Sequence, residues 1–173
     1  MEFRLATAED IPAIMKIVAQ AQRFLQDNGV DQWTNGYPDE AEFLRDMEKG
    51  GCYVACENGA IAGVATLLLE PEPAYPKIEQ GKWLTADDAL YGVVHRSAVS
   101  TDFRGRGVFK SFMAFFEQLC REKGAVSLRV DTHRDNAVMR SALLKLGYSY
   151  CGRVEIKYKP GYGAMWVAYE KLL

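Results

Sequence analysis

The sequence predicts an α/β fold, an α+β mixed sheet of about seven strands flanked by about four helices. Two observations predict it: segments with helical spacing of apolar residues interleave with short apolar runs, and a hairpin-like pair of runs lies near each end. The 173 residues, of which 49% are hydrophobic, are enough for one domain over residues 1–173 with a sizeable core.

The chain begins with a predicted strand at residues 3–6. Thr7 is followed three residues later by Asp10, a spacing typical of a helix cap. Apolar residues then recur with helical spacing from Ile11 onward. The Asn28-Gly29 step, which favours a left-handed turn, is expected to end this first helix.

A loop and a second helix follow. Residues 30–38 contain Asn-Gly and Tyr-Pro steps that interrupt regular structure. Residues 39–49 fit a helix, in which Phe43, Leu44 and Met47 are predicted to face inward.

The next segment predicts a β-hairpin and then a long loop. Asn58-Gly59 lies between the apolar runs 52–57 and 61–69, and Asn-Gly in this position is a strong hairpin signal. Residues 70–89 contain three prolines and no regular pattern. Because such long loops are uncommon in compact domains, we interpret this one as a functional flap.

The centre of the chain predicts a strand, a glycine-rich basic turn and a helix. Residues 91–99 form an apolar run, residues 100–103 a turn, and residues 104–110 read Arg-Gly-Arg-Gly-Val-Phe-Lys. The apolar face of the helix that follows is expected to comprise Phe112, Met113, Phe116, Leu119 and Cys120.

The last third predicts a strand at 126–132, a helix at 136–146 and a final hairpin. The two strands of this hairpin are expected at 148–157 and 164–171, around a turn at Pro160-Gly161.

Composition excludes several classes of protein. A formal net charge of −2 provides no basic field for nucleic acid. The longest apolar run, residues 63–69, is too short to cross a bilayer, and the N-terminal residues do not resemble a secretory segment. The four cysteines form no CxxC pair, so we expect reduced thiols, no metal site and a cytoplasmic location. Cys52 and Cys56 are expected to be small buried residues on one strand face.

A strand, a glycine-rich turn and a helix in this order favour phosphate binding. Glycines allow close approach of backbone N–H groups, and a helix N-terminus carries partial positive charge. Cations are disfavoured at this end of a helix unless an anion binds there. Arg104, Arg106 and Lys110 therefore favour a phosphate ligand over the alternative that they only solvate the helix start.

These residues resemble the GNAT superfamily of acetyl-CoA-dependent N-acetyltransferases over essentially the whole chain. Arg104 and Gly107 match its signature of Arg or Gln, two residues, Gly, one residue, then Gly or Ala; Phe109 departs from the last position, and we expect it to point into the core. A second matching segment downstream comprises Asn136, Met139, Lys145, Leu146, Gly147 and Tyr148. The resemblance implies a sheet splayed between the fourth and fifth strands, and acetyl-CoA as cosubstrate.

The resemblance also implies which residues hold acetyl-CoA. The turn would bind the diphosphate, and the strand before it would bind the pantetheine amides and polarise the acetyl carbonyl. Asn136 matches a cofactor-contacting Asn, with a plain helix N-cap as the alternative. The full set is Ser97, Ala98, Val99, Arg104, Gly105, Arg106, Gly107, Val108, Phe109, Lys110 and Asn136.

The residues that would move protons are less well matched. Some members of the family place a Glu where this chain has Val93. His95 lies on the same strand face and, with an ordinary pKa of about 6.5, is the first candidate for the base. His133 is a second candidate, and Glu70 or Asp88 are alternatives. The Tyr that often protonates the departing thiolate is replaced by Leu143, and a covalent route through Cys120 or Cys151 is disfavoured.

The predicted activity is transfer of an acetyl group from acetyl-CoA to a primary amine of a small molecule or peptide, by direct attack in a ternary complex. The alternative is a catalytically weak acyl-CoA-binding sensor or scaffold. We expect no nucleic-acid or membrane partner, and a homodimer is left open. The candidate substrate-binding residues lie in the predicted loops and are mostly aromatic: Gln32, Trp33, Tyr37, Tyr75 and Trp83. Aromatic side chains in loops suit an amine substrate. The alternative is that they pin the loops to the core.

Overall fold

The computed structural model of the chain describes residues 1–159 and 162–173, with side chains at 1–156 and 166–173. Within these residues the predicted order of seven strands and four helices is confirmed. The turn predicted at Pro160-Gly161 lies outside the described residues. The strands are β1 (Glu2–Leu5), β2 (Cys52–Glu57), β3 (Ala60–Leu68), β4 (Tyr91–Val99), β5 (Ser127–His133), β6 (Ser149–Lys159) and β7 (Tyr162–Leu172). The helices are α1 (Ile11–Asp27), α2 (Glu40–Glu48), α3 (Val108–Glu122) and α4 (Ala137–Lys145).

The sheet is mixed, with strand order β1-β2-β3-β4-β5-β7-β6. Strands β4 and β5 pair in parallel, whereas β7 pairs antiparallel with both β5 and β6. The β4–β5 pairing joins residues 91–94 to residues 127–130, and the last three residues of β5 continue their pairing with β7. The predicted separation of the fourth and fifth strands is therefore confirmed.

The chain divides into two compact units. Unit 1 comprises residues 1–68 and 95–116, and unit 2 comprises residues 69–94 and 117–173. Each unit has its own apolar core. In unit 1 the core contains Ile14, Val18, Phe43, Val54, Val64 and Ala98. In unit 2 it contains Tyr75, Trp83, Tyr91, Val93, Val154 and Trp166.

The predicted boundaries of α1 follow from local chemistry. The backbone N–H of Thr7 donates to the Asp10 carboxylate at 2.8 Å, which satisfies a donor before the helix begins. Arg4 also donates to both oxygens of this carboxylate, at 2.7 and 2.8 Å. After the last turn, Gly29 adopts a left-handed φ of +68°, so the chain leaves the helix where the Asn-Gly step predicts.

The prediction for α2 is wrong at one position. Asp39 caps the helix by accepting from the N–H of Glu42 at 3.1 Å, and Phe43 is fully buried as predicted. Leu44, however, is 36% exposed, whereas Asp46 is buried with 3% exposure. The helix turns Asp46 inward because an arginine of β4 pairs with it.

The apolar face of α3 is confirmed at Phe112, Met113, Phe116 and Cys120, which are all buried. At the start of the helix the inward residue is Val108, with 2% exposure, whereas Phe109 is only partly buried. The expectation that Phe109 points into the core is thus corrected: Val108, one position earlier, takes that place.

Residues 69–90, which include the predicted flap (residues 70–89), contain a short 3₁₀ turn at Tyr75–Lys77 and belong to unit 2. Tyr75 and Trp83 are buried there, and the indole N–H of Trp83 donates to the backbone carbonyl of Tyr75 at 2.9 Å. Glu79 forms a two-way backbone bridge with Arg153, each bond 2.8 Å long. The burial of Tyr75 and Trp83 and the bridge at Glu79 attach the middle of the segment to unit 2.

The helices and cysteines within the described residues can be compared with two expectations from the sequence, namely that no segment crosses a membrane and that the thiols are reduced. Each of these helices lacks either the length or the apolar composition that a membrane crossing requires. The cysteines, all four of which lie in the described part, are free thiols. Cys52 is buried, but Cys56 keeps partial exposure beside an irregularity in the β2–β3 pairing.

Candidate functional site

The turn between β4 and α3 has the backbone shape that its glycines predict. A short 3₁₀ turn over Thr101–Phe103 is capped by Ser100, whose hydroxyl accepts from the N–H of Asp102 at 3.4 Å. Gly105 and Gly107 then each adopt a left-handed φ of +75°. Side-chain-bearing residues rarely take this conformation, so the two glycines allow the chain to turn directly into α3.

The start of α3 presents unused backbone donors. Ser111 donates to the carbonyl of Gly107 at 2.9 Å and is the first residue of the helix to find an acceptor. The N–H groups of Val108, Phe109 and Lys110 precede it, and no acceptor for them lies in the described part of the chain. Free N–H groups at the positive end of a helix dipole suit an anion.

The arginines of the turn already contact groups within unit 1. The Arg104 guanidinium lies over the ring of Phe24, 4.7 Å from its centroid. Arg106 lies 5.2 Å from the ring centroid of Phe103 and 3.6 Å from the carboxylate of Glu57. The Arg106 side chain remains 57% exposed, so a surface contact of this kind leaves it open to an anion.

The residues of β4 that are predicted to meet acetyl-CoA lie directly before this turn in unit 1. Ala98 is buried in the core of the unit, whereas Ser97 and Val99 keep partial exposure. The N–H of Ser100 then donates to the carbonyl of Ala62 in β3 at 2.9 Å. This half of β4 is thus attached to β3 and packed through Ala98.

His95 is partly exposed and carries a strongly altered pKa. Desolvation, followed by the positive charges of Arg96 and Lys49, lowers the pKa of its imidazole to about 3. The ring is therefore neutral at physiological pH and able to accept a proton, but as a weak base. A pH dependence near 6 to 8, expected for an ordinary imidazole, is not expected for His95.

This lowered pKa has a consequence for stability. The unfolded chain binds a proton at His95 below about pH 6.5, whereas the folded chain does not bind one until about pH 3, so acidification favours unfolding. We expect the free energy of unfolding to fall from pH 7 to pH 5, and His95→Gln to reduce this fall. Urea denaturation at the two pH values measures it. If the free energy of unfolding falls equally in the wild type and in His95→Gln, the lowered pKa of His95 would be contradicted.

A buried network beside His95 was missed by the sequence analysis. Arg96 donates to both oxygens of Asp46 at 2.6 Å and to the hydroxyl of Tyr37 at 2.8 Å. Desolvation outweighs the neighbouring guanidinium and raises the pKa of Tyr37 to about 12, so this hydroxyl is protonated. Two signals existed in the sequence: an arginine inside an apolar strand, and an aspartate three residues after the buried Phe43.

In unit 2, His133 is held in a way that limits its use as a base. Its Nδ1 accepts from the backbone N–H of Asp135 at 3.2 Å, and its ring meets the edge of Trp166. Nδ1 is thus occupied by a backbone donor, so proton abstraction at this nitrogen would first require that hydrogen bond to break. A role for His133 as the second candidate base stays a prediction.

Asn136 caps α4. Its side-chain oxygen accepts from the N–H of Met139 at 3.1 Å, and the residue is 8% exposed. The N-cap alternative is thus present, and a contact with acetyl-CoA stays a prediction.

Most of the candidate substrate residues are buried within their own units. Gln32 and Tyr37 are buried in unit 1, and Tyr75 and Trp83 in unit 2. Their burial favours the alternative in which loop residues pin the loops to the core. Trp33 differs, because it adopts a left-handed φ of +61° and packs only partly against the core of unit 1.

The groups considered for acid or covalent chemistry are buried in unit 2. Leu143 has no exposed surface, and Tyr148 is 2% exposed with its hydroxyl 3.3 Å from Glu117. Burial raises the pKa of Cys120 to about 12 and that of Cys151 to about 11. Both thiols are protonated at neutral pH, so they are poor nucleophiles.

Comparison with known proteins agrees with the fold. The model of the acetyltransferase (GNAT) family matches residues 18–148. A GNAT acetyltransferase of known crystal structure from Streptococcus agalactiae 2603 is 34% identical, with a TM-score of 0.87 over 99% of this chain and 95% of that one. The uncharacterized N-acetyltransferase YesJ of Bacillus subtilis (strain 168) is 27% identical over 153 residues, which cover 85% of this chain and 81% of YesJ.

More distant structures share the fold alone. A ribosomal-protein-alanine N-acetyltransferase from Brucella melitensis is 19% identical, with a TM-score of 0.69 over 100% of both chains. The family match, the two relatives and the β4–turn–α3 segment together indicate acyl transfer as the class of chemistry. The chain belongs to the acetyltransferase (GNAT) family.

Proposed function

We propose that this protein transfers an acetyl group from acetyl-CoA to a primary amine of a small molecule or peptide, by direct attack in a ternary complex. One observation carries the proposal: within the residues that the structure describes, the N–H groups of Val108, Phe109 and Lys110 have no acceptor, at a helix start that two left-handed glycines precede. A diphosphate is the kind of anion that such a helix start binds. The family generally uses acetyl-CoA, which contains one.

Acetyl-CoA supplies the activated acyl group as a thioester. The backbone N–H groups of residues 108–110 would hold its diphosphate, with Arg106 and Lys110 adding charge. Ser97, Ala98 and Val99 would bond the pantetheine amides as a neighbouring strand does. A backbone N–H of this strand would polarise the carbonyl that the amine attacks.

The acceptor amine must lose a proton before or during the attack. A lysine-type amine has a pKa of about 10.4, so it is mostly protonated at neutral pH. His95 is neutral there and accepts a proton directly or through water, but its low pKa makes it a weak base. We therefore propose that turnover rises with pH as the free amine itself deprotonates.

The absence of strong acid and base groups at the matched positions supports a second candidate. Val93 and Leu143, both fully buried, occupy the positions where other family members carry Glu and Tyr. The second candidate function is therefore a sensor or scaffold that binds acyl-CoA without efficient turnover.

Two measurements separate these functions. Acetyl-CoA at about 100 times its Kd should stabilise the protein by about 2.7 kcal/mol and raise its melting temperature. A panel of primary amines, followed by release of free thiol from acetyl-CoA, then tests turnover. A thermal shift with thiol release supports the enzyme, a shift without release supports the sensor, and no shift at saturating acetyl-CoA contradicts both.

A further inference from the structure

Arg96 has an unusual backbone conformation for a residue within a strand. It lies in β4 between His95 and Ser97, and its φ is +48°. This left-handed region is disfavoured for residues with a side chain, and a strand interior does not normally use it. Such a conformation persists only where surrounding contacts hold it.

The side chain of Arg96 supplies these contacts, all within unit 1. Its Nε and Nη2 donate to the two carboxylate oxygens of Asp46, both at 2.6 Å, and Nη1 donates to the hydroxyl of Tyr37 at 2.8 Å. Asp46 also accepts from the Thr66 hydroxyl at 2.7 Å. Residues from α2, from the α1–α2 loop and from β3 thus fix one guanidinium.

The pair is shielded from water. The Arg96 side chain is 10% exposed and that of Asp46 is 4% exposed, so both charges depend on each other. A two-point contact between a planar guanidinium and a carboxylate fixes orientation as well as distance. The Arg96 backbone is therefore held in its left-handed conformation from the side-chain end.

We propose that Arg96 is a positioning residue for acetyl transfer: its ion pair with Asp46 holds the left-handed turn in β4 and thereby sets the direction in which residues 97–99 leave it. This inference rests on the proposed function, because residues 97–99 are the ones that would meet the pantetheine and the acyl carbonyl. The guanidinium itself touches no reacting atom.

A second ion pair in unit 1 provides a matched control. Arg4 donates to both oxygens of Asp10 at 2.7 and 2.8 Å, so its geometry resembles that of the Arg96–Asp46 pair. Arg4 lies in β1, is not among the residues with positive φ, and has a 41% exposed side chain. Loss of this pair removes similar contacts without releasing a left-handed turn.

The test compares two double variants that both lack the ion pair and leave no unpaired charge. In Arg96→Gly with Asp46→Asn, glycine adopts the left-handed conformation freely; in Arg96→Ala with Asp46→Asn, alanine does not. We expect the alanine variant to raise the KM and Kd for acetyl-CoA about tenfold. In the glycine variant, most of the affinity for acetyl-CoA should be recovered. The control, Arg4→Ala with Asp10→Asn, should change the KM and the Kd by no more than about twofold.

Tyr37→Phe removes a single hydrogen bond to Arg96 and should raise the same KM about two- to threefold, which keeps the test valid if the double variants do not fold. Equal losses in the glycine and alanine variants, or an unchanged KM in all Arg96 and Tyr37 variants, would overturn the role of Arg96. Wild-type protein that does not bind acetyl-CoA would overturn the proposed function as well. Calorimetric titration of acetyl-CoA into the folded proteins distinguishes these outcomes.

Discussion

Glu170→Gln is expected to lower the free energy of unfolding by about 3–5 kcal/mol. Glu170 is fully buried in unit 2, and its carboxylate accepts from the Ser127 hydroxyl at 2.6 Å and from Nε of Arg129 at 2.9 Å. It also accepts from the backbone N–H groups of Leu84 and Thr85. Although burial raises its pKa, these hydrogen bonds lower the pKa of Glu170 below its usual value, so it is ionised at neutral pH.

The substitution leaves Arg129 as a buried charge without an opposite charge, and it replaces one accepting carboxylate oxygen by an NH2 group that donates. This guanidinium lies 4.2 Å from the ring centroid of Trp83 and 3.8 Å from that of Tyr91, and neither ring replaces a carboxylate. Urea denaturation measures the loss. Glu122→Gln, at an exposed position on α3, is the control and should change stability by less than about 0.5 kcal/mol. A loss below about 1 kcal/mol in Glu170→Gln would contradict the account.

Gly107→Ala is expected to weaken acetyl-CoA binding about tenfold or more. Gly107 has a φ of +75°, and a Cβ built there meets nothing within 4 Å, so the substitution acts through the backbone and not through a clash. Alanine disfavours this φ, and a shift of the turn would misalign the N–H groups of residues 108–110. Each hydrogen bond to a charged group is worth about 1.5–3 kcal/mol, and the loss of one accounts for a tenfold change.

Gly124→Ala is the matched control. Gly124 follows the other end of α3, has a φ of +78°, and is equally open around its built Cβ. Both substitutions should cost about 1 kcal/mol of stability, because both force alanine into a left-handed conformation. Only Gly107→Ala should raise the Kd for acetyl-CoA in calorimetric titration. Equal affinities of the two variants would place the diphosphate elsewhere.

Much of the fold could be predicted because its signals are local. The Asn58-Gly59 step defined the β2–β3 hairpin, and the spacing of Phe112, Met113 and Phe116 defined the inner face of α3. The separation of β4 and β5 came instead from the family resemblance, since strand pairing beyond a hairpin has no local signature.

The predictions of which side chains face the core were wrong where contacts with residues far away in the sequence determine the orientation. Asp46 faces inward only because Arg96, 50 positions later, pairs with it. Periodicity assigned Leu44 to the core instead, since spacing alone favours an apolar residue over a charged one. Tyr75 and Trp83 are buried, although aromatic residues in a loop also suit a substrate, because a core contact and a ligand contact have the same appearance in a sequence.

In the candidate site, too, the features that depend on local sequence could be predicted, and those that depend on distant residues could not. The backbone conformation of the Gly105–Gly107 turn is a property of glycine itself, so the position of this turn could be predicted from the sequence. The chemistry of His95 depends on burial and on the charges of Arg96 and Lys49, which a sequence does not reveal. An ordinary imidazole pKa was therefore the wrong reference for this residue.

We propose that the start of α3 binds the diphosphate of acetyl-CoA. Residue-resolved amide hydrogen exchange, measured by NMR with and without CoA, tests it most directly. We predict that the N–H groups of Val108, Phe109 and Lys110 exchange markedly more slowly when CoA is bound, because they gain acceptors, whereas the N–H of Gly124 is unaffected. Binding of CoA that leaves exchange at residues 108–110 unchanged would contradict the claim.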